Sequence, residues 1–104
     1  MQETKRKKLE TKGWRIGTPK DFLGMSDEEE AFVNLRLKLA QGLKARRQAH
    51  GITQMSLAHA IKSSQSRVAK MEAGDPTVSL DLLVKSLLAL GASHRELAAI
   101  IAQR

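Results

Sequence analysis

Two short amphipathic segments, separated by a very short turn, constrain the fold of this chain more than any other feature. One follows Thr53 and the other follows Ser64, and both are favoured N-cap residues of helices. Each segment has apolar residues at helical spacing on one side: Leu57, Ala58, Ile61, Val68 and Met71. The turn between them, "KSS", begins at Lys62. Helices joined so closely must pack through these apolar residues, which predicts a helix-turn-helix arrangement.

Three further helices are predicted from capping signals and apolar spacing. A long helix begins at the capping box "SDEE", at Ser26, and stops at Gly51. A fourth helix, residues 80–90, is apolar nearly all round, which predicts that it is the most buried element. A fifth helix begins at a second capping box, "SHRE", at Ser93. Because this half of the chain lacks the alternation of a β-strand, we expect an all-α fold of five helices.

Composition divides the chain near its start. Residues 1–25 combine the charge run "KRKK" with glycine and proline, which predicts a basic, irregular and weakly structured N-terminal arm; residues 26–104 are predicted to form one helix-turn-helix domain. The absence of cysteine excludes disulfides and thiolate metal sites and fits a reducing compartment. No apolar run could span a bilayer or serve as a secretory signal. We expect a cytoplasmic protein without membrane contact, metal or cofactor.

The charge of the chain is concentrated in one region. The net charge is +7 and the pI is about 10.2. Between residues 31 and 71 there are eight basic residues and no acidic residue. Such one-sign clustering is typical of proteins that bind polyanions. The alternative is a solvated surface with a basic tail, because charge patterns alone are weak evidence.

The outward side of the second short segment also lacks acids. Gln65, Ser66 and Lys70 lie opposite its apolar residues. A glutamine can pair with N6 and N7 of adenine, and a lysine can donate to guanine or to a phosphate. The segment at residues 65–73 is therefore predicted to enter the major groove of double-stranded DNA, which is wide enough for one α-helix.

These motifs resemble the phage-repressor-like, or XRE-type, helix-turn-helix transcriptional regulators. Each motif has the residue types and the spacing of that family: "GITQ" at Gly51, "LA" at Leu57, "SQS" at Ser64, the apolar Val68 and "EAG" at Glu72. The resemblance covers residues from about Leu35 to Gly91. It implies a lambda-repressor-like domain that binds a specific DNA sequence as a homodimeric regulator, in the leading interpretation a repressor. Lys62 departs from the family, which has a glycine there.

The resemblance also implies roles for individual residues. Gln54 would contact a phosphate and support Gln65, while Gln65, Ser66 and Lys70 would face bases. The remaining contacts would go to the DNA backbone. The full DNA-binding set is then Gln54, Lys62, Ser64, Gln65, Ser66, Arg67 and Lys70. The alternative for each is an ordinary solvated helix residue.

Glu72 lies at the edge of the apolar side of its helix, where a carboxylate needs a partner. In the family that these motifs resemble, the glutamate at the position of Glu72 pairs with an arginine of the first helix. That arginine lies seven residues before the position of Gln54. That residue is Arg47 here. We therefore predict a partly buried ion pair between Arg47 and Glu72 that is structural.

The C-terminal helix is the candidate dimer interface. Its apolar residues are Leu97, Ile100 and Ile101. Regulators of this architecture bind two half-sites about one helical turn apart, which requires a two-fold dimer. The alternative is that these residues complete the core of a single protomer.

Two other functions stay open. The stretch "WRIGTPKDFLGMSDEEEA" is similar to small antitoxin-type regulators, which bind a toxin protein and repress their own operon. The domain could also be an adaptor that contacts protein only. Catalysis is not expected, because His50, His59 and His94 lack metal-ligand spacing and the serines have no neighbouring base.

Overall fold

The computed structural model describes residues 26–103, and these form five helices and no strand. In chain order they are α1 (Asp27–Ala49), α2 (Gln54–Ala60), α3 (Gln65–Glu72), α4 (Leu80–Ala89) and α5 (His94–Ala102). The expected all-α fold of five helices is confirmed over the described residues. The predicted arm, residues 1–25, lies outside them. Residues 32–103 belong to one compact unit.

Each helix begins at a hydroxyl side chain that accepts a backbone hydrogen bond. At the start of α1, Ser26 and Glu29 exchange two bonds of 2.9 and 3.1 Å, and at α5 Ser93 and Glu96 exchange bonds of 2.8 and 3.1 Å. The caps of the three helices between them are Thr53, Ser64 and Ser79. A cap of this kind stabilises a helix by ~1 kcal/mol, so local sequence sets where each helix starts.

The core is aliphatic and draws on all of the first four helices. Its largest fully buried apolar side chains are Leu39, Leu43, Leu57, Val68, Met71, Leu83 and Leu87. Leu97 and Ile100 of α5 pack against this cluster from the side and stay partly exposed. The low aromatic content therefore does not prevent a dry core, because branched aliphatic side chains fill it.

The fourth helix is buried on one side only. Leu83 and Leu87 are fully buried, whereas Leu88 is 43 % exposed, and Asp81 and Lys85 are exposed as well. The helix expected to be the most buried element therefore leaves one side exposed, although Leu80, Leu82 and Val84 also pack partly against the core. A small domain has too few elements to enclose a helix completely, so some apolar surface remains outside.

The turn between α2 and α3 contains a lysine in a left-handed conformation. Lys62 has a φ of 57°, and no other non-glycine residue among those described has a positive φ. The N–H of Lys62 donates to the carbonyl of His59 across 3.2 Å, and the N–H of Ser63 donates to the carbonyl of Ala58 across 2.8 Å. These two bonds form a Schellman motif, which usually places glycine at this position. The lysine thus preserves the expected turn despite its unfavourable backbone conformation.

Candidate nucleic-acid interface

The outward side of α3 is polar, basic and free of acids. Val68 and Met71 are fully buried where α2 and α3 pack against each other. The predicted contact residues at this helix are all exposed: Ser64, Gln65, Ser66, Arg67 and Lys70. The only acid of α3 is Glu72, which is buried. A phosphate backbone approaching α3 therefore meets no carboxylate on that helix.

Arg47 of α1 and Glu72 of α3 form a two-pronged ion pair. The Nε of Arg47 lies 2.5 Å from Oε2 of Glu72, and its Nη2 lies 3.1 Å from Oε1. The side chains are 12 % and 3 % exposed, respectively. Hydrogen bonding to Glu72 raises the pKa of Arg47 above its ordinary value. The remaining nitrogen, Nη1, donates to the carbonyl of Ile52 across 2.8 Å, so one guanidinium joins α1, α3 and the loop before α2.

Gln54 connects this ion pair to the exposed side of α3. Its Nε2 donates to Oε1 of Glu72 across 3.0 Å. Its Oε1 accepts a bond of 2.7 Å from Nε2 of Gln65. Gln54 is half-buried at the first position of α2, and Gln65 is exposed at the first position of α3. The expected support of Gln65 by Gln54 is therefore present as a direct hydrogen bond.

A family model described as helix-turn-helix matches residues 43–97, more than half of the chain and all of α2, α3 and α4. The chain belongs to the XRE-type helix-turn-helix family. It is accordingly a DNA-binding regulator, from a family that is not generally enzymatic. No curated protein and no solved structure matches the chain significantly.

A small cavity of about 270 Å³ lies beside α3 of this helix-turn-helix domain. It is lined by hydroxyl and basic side chains and one apolar residue: Ser64, Ser66, Arg67, Lys70, Thr77 and Val78. Sequence analysis missed Thr77, which the loop after α3 brings alongside the helix. Asp75 fixes that loop by accepting from the backbone N–H of Thr77 at 2.8 Å and from its hydroxyl at 2.6 Å, and these bonds lower the pKa of Asp75. The motif Asp-Pro-Thr is a turn signal that could have indicated this.

The residues expected at a dimer interface do not share one environment. Leu97 and Ile100 pack partly against the core, and a Cβ on Gly42 of α1 would lie 2.9 Å from Cδ1 of Ile100. Ile101, in contrast, is 45 % exposed. Leu97 and Ile100 thus contribute to the protomer itself, and Ile101 is the residue of the three that points most to solvent.

Arg46 holds α5 in place, which sequence analysis did not foresee. Its Nε donates to the carbonyl of Leu90 across 3.0 Å, and its Nη2 lies 3.3 Å from Oε1 of Glu96. Hydrogen bonds from the backbone of Ser93 and from Arg46 lower the pKa of Glu96. A basic residue counted as part of the charge cluster therefore has a packing role.

Within residues 26–103, no group of three or more histidine, cysteine, aspartate or glutamate residues could hold a metal ion. The three histidines, His50, His59 and His94, are all exposed. No helix in the described part of the chain is long and apolar enough to cross a membrane.

Proposed function

We propose that this protein is a sequence-specific transcriptional repressor that places α3 in the major groove of double-stranded DNA and acts in the cytoplasm. The observation that supports the proposal most is the surface of α3. Its exposed residues can donate to or accept from base edges, and its one acid is turned inward to Arg47. A helix with this surface can approach bases and phosphates without repulsion.

The proposed roles follow from position on the domain. Gln65, Ser66 and Lys70 face bases, because they lie on the exposed side of α3. The other members of the set contact phosphates at its N-terminal end and flank: Gln54, Lys62, Ser64 and Arg67. Backbone N–H groups at a helix N-terminus favour anions, which supports phosphate contact there.

A homodimer completes the proposal. One module reads only a few base pairs, so two copies on half-sites about one helical turn apart are needed for a specific site. The proposed interface is α5, with Leu97, Ile100 and Ile101. The exposure of Ile101 supports it, because a large apolar side chain in water gains free energy when a second copy covers it.

The main test is selection of bound sequences from random duplex DNA. The wild type is expected to enrich one motif with two-fold symmetry, and Gln65→Ala is expected to lose preference at a single position of each half-site. If the wild type enriches no motif, sequence-specific regulation is wrong. If Gln65→Ala enriches the same motif with equal strength, Gln65 does not read a base.

The adaptor alternative is distinguished from a DNA-binding regulator by the effect of salt. DNA binding weakens steeply as salt rises, because each neutralised phosphate releases counterions. For an adaptor that contacts protein only, any binding to DNA would lack this steep dependence on salt. Residues 14–25 of the stretch "WRIGTPKDFLGMSDEEEA", which suggested an antitoxin, lie outside the described residues. A toxin partner would be detected by co-purification with the product of a neighbouring reading frame.

A further inference from the structure

The contacts of Glu72 extend beyond its ion pair. We propose that Glu72 is a positioning residue for base recognition: its carboxylate sets the direction of the hydrogen bonds that run through Gln54 to Gln65, and thereby selects the edge that Gln65 presents to a base. The effect on base preference rests on the proposed function. The hydrogen-bond direction does not, because it belongs to the free protein.

In the ion pair, the carboxylate of Glu72 can only accept hydrogen bonds. Its two oxygens receive Nε and Nη2 of Arg47, and a carboxylate in such a pair has no hydrogen to donate. Oε1 receives a further bond from Gln54, 3.0 Å long. The amide of Gln54 must therefore turn its Nε2 inward, since its oxygen would face another acceptor.

The orientation of Gln54 in turn fixes the orientation of Gln65 at the surface of α3. With Nε2 turned inward, Gln54 offers only Oε1 to its other neighbour, and Gln65 must approach with its own Nε2, as it does across 2.7 Å. This series of hydrogen bonds runs from buried Glu72 through half-buried Gln54 to exposed Gln65. Gln65 keeps one amide hydrogen and its Oε1 for a ligand.

Adenine fits the edge that remains. Its N6 amino group donates and its N7 accepts, which matches one oxygen and one N–H of an amide. Guanine offers two acceptors, O6 and N7, and gives Oε1 of Gln65 no donor. A two-pronged contact of this kind corresponds to roughly 5- to 150-fold discrimination, so adenine is expected at the position that Gln65 reads.

Glu72→Gln is expected to remove the fixed direction. Both oxygens of Glu72 accept from Arg47, and Oε1 also accepts from Gln54. The new amide has only one oxygen, so either placement sets its nitrogen against one donor of Arg47. With the nitrogen at the position of Oε1, Gln54 must turn its oxygen inward and donate outward to Oε1 of Gln65. Gln65 then has both amide hydrogens free, which match the two acceptors of guanine. Because both placements become accessible, the preference for adenine over guanine should fall.

Two variants separate this role from simple stability. Arg47→Lys weakens the ion pair and lowers the melting temperature, but it keeps the carboxylate, so base preference should not change. Gln54→Ala removes the middle of the series and leaves the ion pair intact. It should let Gln65 present either edge, which lowers the adenine-to-guanine ratio toward one. This second variant also tests the proposal if Glu72→Gln fails to fold.

The experiment has two readouts on the same proteins. In the free protein, scalar coupling across the hydrogen bond should join Nε2 of Gln65 to the side-chain carbonyl carbon of Gln54 in wild type. In Glu72→Gln the reverse pair should appear beside it. In selections from random duplexes, that variant should accept guanine as well as adenine where the wild type enriches adenine. A coupling pattern in Glu72→Gln identical to that of wild type, or the appearance of the reverse pair with unchanged base preference, would overturn the proposal. If wild type enriches no motif, the proposed function fails, and the coupling alone decides whether Glu72 sets the direction.

Discussion

The Nε2 of Gln65 donates to the Oε1 of Gln54 across 2.7 Å, so the first residue of α3 is held by the first residue of α2. Through Gln54 the same series reaches the ion pair of Glu72 and Arg47. Hydrogen bonds therefore connect the buried part of the domain to the surface proposed to face DNA. Changes at the inner residues should alter stability as well as recognition, and changes at the outer residue, Gln65, should alter recognition alone.

Removing the carboxylate of the ion pair should destabilise the domain strongly. We expect Glu72→Ala to lower the free energy of unfolding by about 3–5 kcal/mol, because it leaves a largely buried guanidinium of Arg47 without its partner. Urea unfolding followed by circular dichroism measures the loss. The double variant Arg47→Met with Glu72→Leu should recover most of it, since both charges are removed together. Unchanged unfolding of Glu72→Ala, with altered DNA affinity, would contradict a structural role.

The left-handed turn should be improved by glycine. Lys62 has a φ of 57°, a conformation unfavourable for residues with a Cβ. We expect Lys62→Gly to raise the free energy of unfolding by about 0.5–1 kcal/mol, part of the gain being offset by the greater freedom of glycine in the unfolded chain. Lys62→Ala removes the same charge but keeps the Cβ, so its melting temperature should not rise. Equal melting temperatures for the two variants would mean that charge, not backbone conformation, decides stability here.

The proposed phosphate contact of Arg67 should appear in the salt dependence of binding. Arg67→Gln is expected to weaken DNA binding about equally for all sequences and to reduce the slope of log K against log salt by about 1, because one fewer phosphate is neutralised. Fluorescence anisotropy at several salt concentrations measures the slope. Arg95→Gln, which removes an exposed charge of α5 outside the candidate interface, is the matched control and should leave the slope unchanged. A slope that Arg67→Gln does not alter would remove Arg67 from the interface.

Exposure of Ile101 makes it the best single test of the dimer. Ile101→Lys should leave the protomer folded, because the side chain is 45 % exposed, and should convert a dimer to a monomer in sedimentation equilibrium. Met55→Lys changes a side chain that is 56 % exposed on α2 and should not affect the mass. A wild type that stays monomeric at every concentration, with and without its DNA site, would refute an interface at α5.

The charge of Glu96 should stabilise α5 in a pH-dependent way. Its pKa is lowered in the folded protein by the backbone N–H of Ser93 and by Arg46, so its contribution is present above the ordinary glutamate pKa and is lost as pH falls through the lower folded value. Glu96→Gln should therefore melt at a lower temperature than wild type at pH 7, and the difference should narrow below about pH 4. Ser93→Ala should lower the melting temperature at every pH, because it removes a neutral hydroxyl cap. A constant gap between Glu96→Gln and wild type from pH 7 to pH 3 would contradict the lowered pKa.

Local patterns were sufficient to predict the helices and much of the candidate site. Caps such as Ser64 and Ser93 act within three residues, so they can be read directly from the sequence. The exposed side of α3 follows from helical spacing, with Val68 and Met71 marking the opposite side. The sequence also showed that Lys62 occupies the position where the family has a turn glycine, because the motif fixes that position.

Contacts between distant segments could not be predicted from those patterns. Nothing in the spacing of α4 indicates that Leu88 stays exposed, because exposure depends on which neighbours cover each side of the helix. The loop after α3 brings Thr77 beside Arg67, and helical periodicity does not extend across a loop.

The sequence by itself determined the five helices, their starts, the acid-free side of α3 and the residue types of a helix-turn-helix regulator. It did so because caps and apolar spacing act over a few residues. Only the tertiary structure decided that Gln54 bonds both Glu72 and Gln65, and that Arg46 holds α5 rather than extending the basic surface. These partners are 11 to 50 residues apart in the chain, the widest pair being Arg46 and Glu96, so their contacts exist only after the helices have packed.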